Sequence, residues 1–190
     1  MQAREQRRQW LKMCGVLPFA GLIAPSFSLV KGEGTGGQLL QTSLNAYSFN
    51  EPLMNKTMSL EDLLVFASLH HFDGIDLTGY YFPGYPTVPS DEFIYYIKRK
   101  AHLLGLSVSG MGVRNDFTQP NRDLRRLEVE RVKNWIIVAA KMGAPVLRVF
   151  SGVIIPKDYS WLEIATWMAE DFKECADFGR KYGIIIGMQN

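Results

Sequence analysis

The sequence contains a repeated pattern in which a helical stretch ends at or near a glycine and an apolar, strand-like run follows. The glycines are Gly74, Gly105, Gly143 and Gly183, at intervals of 31, 38 and 40 residues. These intervals fit one strand-plus-helix unit, and glycine is favoured where a helix ends in a left-handed backbone conformation. Alternating strands and helices at this spacing predict a parallel sheet with right-handed crossovers. The repeat therefore predicts an α/β fold.

Apolar residues at helical spacing locate four helices, and short apolar runs locate five strands. Ser59 and Ser90 are predicted N-caps of the first two helices, and the other two helices are predicted near 123–142 and 160–182. The strands are predicted near residues 42–49, 74–79, 106–113, 145–150 and 184–189.

Polar residues inside the strands distinguish two architectures that fit this repeat, a doubly wound open sheet and a (β/α)8 barrel. No strand is followed by the glycine-rich patterns of nucleotide-binding open sheets. Arg148 in PVLRVF and Asp76 in GIDLT alternate with apolar residues, and outer helices require the apolar face, so the polar face must line the barrel interior. The same alternation turns inward Asn45, Ser109 and Gln189. The fold prediction is a TIM-barrel type with about the first five strands and four helices, and its polar strand residues mark the C-terminal mouth.

The N-terminal segment is predicted to be an export signal. REQRRQWLKM is charged, and the apolar run CGVLPFAGLIAPSFSLV after it is broken by two prolines and is too short for a stable membrane span. The core RRQWLK resembles the twin-arginine signal, so export to the periplasm is expected, and the alternative is a cytosolic amphipathic extension. The predicted organisation is a signal over 1–30, a Gly-rich linker over 31–40 and a partial barrel over 41–190.

Charge and cysteine usage give no support to nucleic-acid binding or thiol chemistry. The formal net charge is +2, but residues 1–28 carry four basic side chains and one acidic side chain. The remainder has 17 basic and 18 acidic groups, a balance of −1, so a nucleic-acid partner is not expected. Cys175 shares an apolar helical stripe and is predicted to be a core residue.

The segments VRNDFTQPNRDLRRLEVERVKNWIIVAAKMGAPVLRVFSG and KYGIIIGMQN resemble the sugar phosphate isomerase/epimerase family, whose fold is like that of xylose isomerase. The resemblance runs from about residue 40 to residue 190. Members of that family are eight-stranded barrels that bind one divalent cation at the C-terminal mouth. The resemblance implies proton abstraction next to a carbonyl of a sugar, with an ion such as Mn, Mg, Zn or Co polarising the substrate oxygens.

The resemblance also implies a metal ligand at the end of the fifth strand, where this chain departs from the family. A Glu is usual there, and this chain has Gln189 followed by Asn190. A neutral amide is a poor replacement for a carboxylate facing a hard cation, so the divalent cation expected of the full-length family is expected to bind this chain weakly. The other ligands implied by the resemblance lie on later strands, so the sequence is expected to be the first five-eighths of a barrel, and no catalytic residue is assigned. Helical positions argue against a metal role for His70, His71 and His102.

Five residues are predicted to bind the substrate, three on strands and two in the following loops. Arg148 and Asp76 lie on alternate strands and are predicted to meet inside the barrel as an ion pair, either structural or in contact with substrate. Asn45 faces inward from the first strand. Arg114 either binds a phosphate or sugar oxygen or is a solvated loop arginine. Tyr81, in the aromatic loop GYYFPGYP, either stacks on a sugar ring or packs over the rim.

Two other polar segments are interpreted as structural. Asn115 and Asp116 are expected to form a turn. The segment RDLRRLEVERVK carries mixed charges at helical spacing and is expected to be a solvated helix face.

The leading functional interpretation is an exported isomerase or epimerase-like enzyme that acts on a small-molecule sugar. One alternative is a lyase that follows the proton abstraction with β-elimination from an oxidised (keto) glycoside. Another is a catalytically inactive barrel fragment, whose unpaired first and fifth strands would favour edge pairing or oligomers. A barrel nuclease acting at abasic DNA sites would need several metal-binding histidines and a basic cleft, and the sequence shows neither.

Overall fold

The computed structural model describes residues 40–153 and 155–189; the predicted export signal, nearly all of the linker and Asn190 lie outside the described residues. The strands are β1 (Ser43–Asn45), β2 (Gly74–Thr78), β3 (Ser107–Val113), β4 (Val146–Phe150) and β5 (Ile185–Gln189). The helices are α1 (Asn50–Met54), α2 (Leu60–Leu69), α3 (Asp91–Leu103), α4 (Arg122–Met142) and α5 (Trp161–Arg180), with 3-10 turns at Ala46–Phe49 and Gly79–Tyr81. None of the described helices is long and apolar enough to cross a lipid bilayer.

The five strands form one parallel sheet in chain order, from β1 to β5. This order is the arrangement of consecutive strands in a (β/α)8 barrel. The predicted fold class is therefore confirmed. The short helix α1 is the one described α-helix that the sequence pattern did not predict, because five residues are too few for a helical period to be visible.

Serine residues cap α2 and α3, as the sequence predicts. The Ser59 hydroxyl accepts a hydrogen bond from the Asp62 backbone amide, and the Asp62 carboxylate accepts one from the Ser59 backbone amide, which satisfies two amide groups at the start of α2. Ser90 caps α3 in the same way without the reciprocal bond. These caps fix where each helix begins and so where each strand-to-helix loop ends.

The glycine rule holds at three of the four predicted helix ends. Gly105, Gly143 and Gly183 have φ angles of 76°, 84° and 70°, in the left-handed region. The prediction is wrong for Gly74, which is the first residue of β2, because His71 adopts the left-handed conformation with φ 63°. Gly74 is needed for space instead, since a Cβ there would lie 2.8 Å from the Ser107 hydroxyl.

The core lies between the sheet and the helices. Ile75, Leu77, Leu147 and Val149 are fully buried on the outer face of the sheet, and the polar residues that alternate with them face the other way. Cys175 is also fully buried, and burial raises the pKa of its thiol to about 12. The predicted core role of this cysteine is confirmed.

The first strand is shorter than predicted. It ends at Asn45, whose side-chain oxygen accepts a hydrogen bond of 2.8 Å from the Tyr47 amide and so starts a 3-10 turn. An asparagine side chain that binds the backbone two residues on ends an extended segment in this way. The turn directs the following residues over the C-terminal edge of the sheet.

The sequence analysis expected the mixed-charge segment of α4 to be a solvated helix face. The expectation is wrong for Arg125, which is buried. Arg125 is 9% exposed, and its Nε donates to Asp171 of α5 at 3.1 Å. Asp171 is buried as well, and burial raises the pKa of its carboxyl against the opposing effect of Arg125. The neighbouring Arg126 is 44% exposed and Lys133 is 17% exposed, and both pair with Glu174 of α5. Ion pairs therefore join α4 to α5 both inside and outside the interface.

Substituting Glu174 by glutamine is expected to make the free energy of unfolding depend less on pH between neutral and acid conditions. Hydrogen bonds from Arg126 and Lys133 lower the pKa of Glu174 to about 2. Because this pKa lies below that of an unfolded glutamate, about 4.3, the stabilisation is present above that pH and is lost as the pH falls towards about 2. Urea unfolding should show the largest difference between the unmodified chain and Glu174→Gln near neutral pH, and almost none near pH 2.

Glu170→Gln is the control for this prediction, because Glu170 lies exposed on the same helix with no hydrogen bond or ion pair to another described residue. Its stability should follow that of the unmodified chain at every pH. A Glu174→Gln difference that stays constant from neutral to acid pH would contradict the assignment.

Candidate functional site

Four polar side chains on four different strands meet on the inner face of the sheet. Arg148 of β4 donates from Nη2 to Asp76 Oδ1 on β2 at 2.9 Å and from Nη1 to Gln189 Oε1 on β5 at 2.7 Å. Asn45 of β1 donates to the other Asp76 oxygen at 3.3 Å. The predicted ion pair between Arg148 and Asp76 is therefore confirmed, and we call Asn45, Asp76, Arg148 and Gln189 the strand-end network.

Two glycines on the central strand make this network possible. Asp76 lies level with Gly110, and Arg148 lies level with Gly112, so the arginine must pass over β3 to reach the aspartate. A Cβ on Gly112 would lie 3.0 Å from Arg148 Nη2, and a Cβ on Gly110 would lie 3.5 Å from the Asp76 carboxyl carbon. Because Gly110 and Gly112 have no side chains, the guanidinium can pass over β3.

A cavity of about 380 Å³ opens above the network. Asn45, Arg148 and Gln189 contribute polar groups to its wall. Its other lining residues, mostly at the C-terminal ends of the strands, are Tyr47, Ser48, Thr78, Tyr80, Gly112 and Phe150. We call it the strand-end cavity. Few polar groups beside aromatic walls are the arrangement typical of small-molecule sites.

A larger cavity of about 1080 Å³ adjoins the strand-end cavity and shares Tyr47, Tyr80 and Phe150 with it. It contains the two remaining predicted site residues, Tyr81 and Arg114. The Tyr81 hydroxyl donates to Asn50 at 2.8 Å, and burial raises its pKa, so the phenol stays protonated at neutral pH. The five predicted substrate-binding residues therefore divide, with Asn45, Asp76 and Arg148 in the strand-end network and Tyr81 and Arg114 around the larger cavity.

The exposed Arg114 side chain makes no hydrogen bond or ion pair with any described residue. Its backbone is fixed, because the Tyr85 hydroxyl donates to the Arg114 carbonyl at 2.8 Å and accepts from its amide at 3.1 Å. Trp135 of α4 supports the same aromatic loop from below, donating from Nε1 to the Pro86 carbonyl at 3.1 Å. The aromatic loop is thus tied to the loop after β3 and to the core.

After β3 no backbone turn is assigned at Asn115 and Asp116, and both polar residues are buried and hold the loop through side-chain hydrogen bonds. Asn115 donates to the Phe150 carbonyl at 2.8 Å and accepts from the Phe150 amide at 2.7 Å. Asp116 accepts hydrogen bonds from the Thr118 amide and hydroxyl at 3.0 and 2.6 Å. Both residues therefore hold the loops of β3 and β4 together.

The described residues do not fit a divalent cation at Gln189. Within residues 40–153 and 155–189, no group of three His, Cys, Asp or Glu side chains could hold a metal ion. The amide oxygen of Gln189 already accepts a hydrogen bond from the Arg148 guanidinium. A divalent cation at that oxygen would lie beside a positive charge, which is unfavourable in a poorly solvated site. The predicted weakness of Gln189 as a ligand thus has a structural reason.

Six lining residues of the strand-end cavity were not predicted as site residues: Tyr47, Ser48, Thr78, Tyr80, Gly112 and Phe150. Thr78 and Phe150 lie two residues after Asp76 and Arg148 on their strands, so the period of two turns them to the same inner face. Tyr47 shares the face of Asn45 in the predicted strand over 42–49, but the structure places it in a 3-10 turn, so a strand period does not explain its position.

Comparison with solved structures identifies barrels of the same fold. D-psicose 3-epimerase from Clostridium cellulolyticum H10, crystallised with D-tagatose, is 15% identical, with a TM-score of 0.65 over 77% of this chain and 51% of that one. A sugar phosphate isomerase/epimerase from Parabacteroides distasonis is 18% identical, with a TM-score of 0.58 over 87% and 55%. D-allulose 3-epimerase from a Methylomonas species, in complex with D-allulose, is 13% identical, with a TM-score of 0.59 over 78% and 50%.

These identities establish the fold alone, and the chain spans about half the length of each of these proteins. No curated protein sequence is significantly similar to the chain. Residues 66–190, well over half of the sequence, match the family model described as a xylose isomerase-like TIM barrel. The resemblance inferred from sequence is confirmed, and the chain belongs to the family of xylose isomerase-like TIM barrels.

Proposed function

We propose that this chain is the sugar-binding part of an isomerase or epimerase-like enzyme and that the strand-end cavity holds the sugar. The observation that carries the proposal is the strand-end network, which brings Asn45, Arg148 and Gln189 to the wall of one cavity at the C-terminal edge of a parallel sheet. This edge is where TIM-barrel enzymes bind their substrates. Solved barrels of the same fold include epimerases crystallised with D-tagatose and D-allulose.

The chemistry of the cavity wall suits a neutral sugar. Amide groups of Asn45 and Gln189 donate to and accept from hydroxyls, and the guanidinium of Arg148 donates to oxygens. Tyr80 and Phe150 offer apolar ring faces to the C–H face of a sugar ring. Burial raises the pKa of Tyr80, so its phenol remains a hydrogen-bond donor at neutral pH.

The role of the described residues is to bind and orient the sugar. The described lining of the strand-end cavity contains no carboxylate, histidine or lysine, so it supplies no general base for proton abstraction. Asp76 lies beneath the lining, where it fixes the direction of the Arg148 guanidinium. Metal-assisted proton abstraction, the chemistry implied by the resemblance, would therefore depend on groups other than these.

Binding of D-tagatose and D-allulose, measured by calorimetric titration of the unmodified chain and Arg148→Met, tests the proposal. The loss of a charged donor should weaken binding by about tenfold to a hundredfold. The matched control is Arg180→Met, because Arg180 is 81% exposed on α5 and, among the described residues, forms an ion pair only with Asp177. This control should bind both sugars like the unmodified chain.

Binding that is equal in Arg148→Met and the unmodified chain would contradict the proposed site. The absence of any binding to the unmodified chain would contradict the proposed function itself. Where binding is observed, analysis of the products by NMR distinguishes isomerisation from the β-elimination of the lyase alternative, because only elimination creates a carbon–carbon double bond.

A further inference from the structure

Two buried polar atoms beside the strand-end cavity have no hydrogen-bond partner among the described residues. They are the hydroxyl oxygen of Thr78 and Nε of Arg148. Thr78 is only 4% exposed, and both residues line the cavity. A buried polar group without a partner is rare in proteins and destabilises the fold, so its presence calls for an explanation.

The register of the sheet places Thr78 and Arg148 on the two strands that flank Gly112. Thr78 is paired with Gly112, and Gly112 is paired with Arg148, so the three residues lie in one row across β2, β3 and β4. The Arg148 guanidinium lies directly over Gly112, whose Cβ would be 3.3 Å from its Cζ. Thr78 and Arg148 therefore flank Gly112, and all three residues line the strand-end cavity.

The other two nitrogens of the Arg148 guanidinium each donate a hydrogen bond to another residue of the strand-end network. Its Nη1 and Nη2 donate to Gln189 and Asp76, which fixes the plane of the group. Nε is the buried guanidinium nitrogen that has no partner among the described residues, although each Nη keeps a second N–H. The Thr78 hydroxyl can both donate and accept. Together they can bind one oxygen atom that accepts from Arg148 and exchanges a hydrogen bond with Thr78.

We infer that Thr78 and Arg148 form an oxygen-binding pair for an uncharged carbonyl or hydroxyl group of the sugar, and that this contact requires no divalent cation. The inference rests on the proposed function for the identity of the ligand. Thr78 is then a binding residue, and the Arg148 guanidinium is the positively charged group of the site.

The charges of the site specify an uncharged group. The Asp76 carboxylate lies 2.9 Å from the guanidinium and balances its charge. The described lining of the strand-end cavity contains no second cation. A phosphate or carboxylate entering here would bring an unbalanced negative charge into a partly buried site, which is unfavourable. The pair therefore selects a neutral ketose or aldose end over a phosphorylated one.

Thr78→Val and Thr78→Ser test the pair against the unmodified chain. Valine matches the shape of threonine but has no hydroxyl, so the dissociation constant for D-tagatose should rise about fivefold to thirtyfold. Serine keeps the hydroxyl, and its dissociation constant should stay within about threefold of the unmodified value. The thermal unfolding midpoint of ligand-free Thr78→Val should equal or exceed that of the unmodified chain, because valine removes a buried hydroxyl that has no partner.

A purely structural threonine would behave differently, since Thr78→Val would then lower the unfolding midpoint. That result, or unchanged D-tagatose binding in Thr78→Val, would overturn the inference. Dialysis against EDTA tests whether the contact needs a divalent cation. A dissociation constant for D-tagatose that is unchanged within about twofold supports the cation-free contact, and a loss of D-tagatose binding overturns it.

NMR of the Arg148 Nε–H resonance separates this inference from the proposed function. Its assignment comes from its disappearance in Arg148→Lys. The resonance should shift with D-tagatose and with glycerol in the unmodified chain and in Thr78→Ser, but not in Thr78→Val. Inorganic phosphate at equal concentration should leave it in place, and a larger shift with phosphate would overturn the choice of an uncharged ligand.

The combinations of outcomes are distinct. If glycerol shifts the resonance in a Thr78-dependent way but no sugar binds, the oxygen-binding pair stands and the proposed sugar function fails. If D-tagatose binds without moving the resonance, the proposed function stands and the pair is wrong.

Discussion

Asp76→Ala is expected to destabilise the fold by about 2 to 3 kcal/mol and to weaken sugar binding in the strand-end cavity. The substitution leaves the Arg148 guanidinium in a site where only 24% of its side chain is exposed, without the carboxylate that balances it. Removing one member of a buried ion pair is costly because the other charge remains without a partner. The Asp76 and Arg148 side chains are partly exposed, so the expected value lies below the range for a fully buried pair. Urea unfolding at neutral pH measures it.

A double-mutant cycle with Arg148→Met identifies the cause. The chain with both substitutions has no unbalanced charge, so it should be more stable than the sum of the single effects implies, by about 1 to 2 kcal/mol. Effects that add to within about 0.5 kcal/mol would show that the two residues are not coupled. Circular dichroism of each variant confirms that it remains folded under the starting conditions.

Arg125→Met is expected to have the largest effect on stability, about 3 kcal/mol. The side chain donates to Asp171 at 3.1 Å and to the carbonyls of Gln119 and Pro120 at 2.8 and 3.0 Å. It also lies 4.9 Å from the centre of the Trp167 ring. Methionine retains the apolar contact with the Trp167 ring but makes none of these hydrogen bonds. The buried Asp171 carboxylate and the carbonyls of Gln119 and Pro120 then lose the donor that Arg125 provides. Urea unfolding of the variant measures the loss.

The pH dependence and a neighbouring residue provide the checks. Burial already raises the pKa of Asp171, so without Arg125 this carboxyl takes up a proton more readily. The loss in Arg125→Met should therefore be smaller near pH 5 than near pH 8. Arg126→Met is the matched control on the same helix, and because that side chain is 44% exposed, its substitution should cost about 0.5 kcal/mol. Equal losses for the two arginines would contradict the distinction between a buried and a surface ion pair.

The sequence was sufficient to predict the fold and the direction of the strand side chains. Hydrophobic stripes located the long helices, and the alternation around Asp76 and Arg148 turned both residues inward. Two inward charges of opposite sign on alternate strands of a barrel have few other partners, so their pairing could be inferred before any distance was known.

The remaining features depend on register and on packing between distant helices. That Arg148 also binds Gln189, and that Thr78 lies in its row, follows from which residues pair across β2 to β5. No local pattern specifies this register. The burial of Arg125 was equally hidden, because its partner Asp171 lies on the next helix, and a charge within a charged segment resembles a solvated one. Sequence periodicity describes one element at a time, and these contacts join several.

The two glycines of β3, the central strand, determine whether Arg148 on β4 can reach Asp76 on β2. Gly110 and Gly112 contribute no functional group, yet the arginine reaches the aspartate only across the bare backbone they provide. One methyl group at Gly112 would press on the guanidinium and part the two halves of the ionic contact. The charge balance beneath the strand-end cavity therefore depends on β3, although β3 contributes no charged side chain.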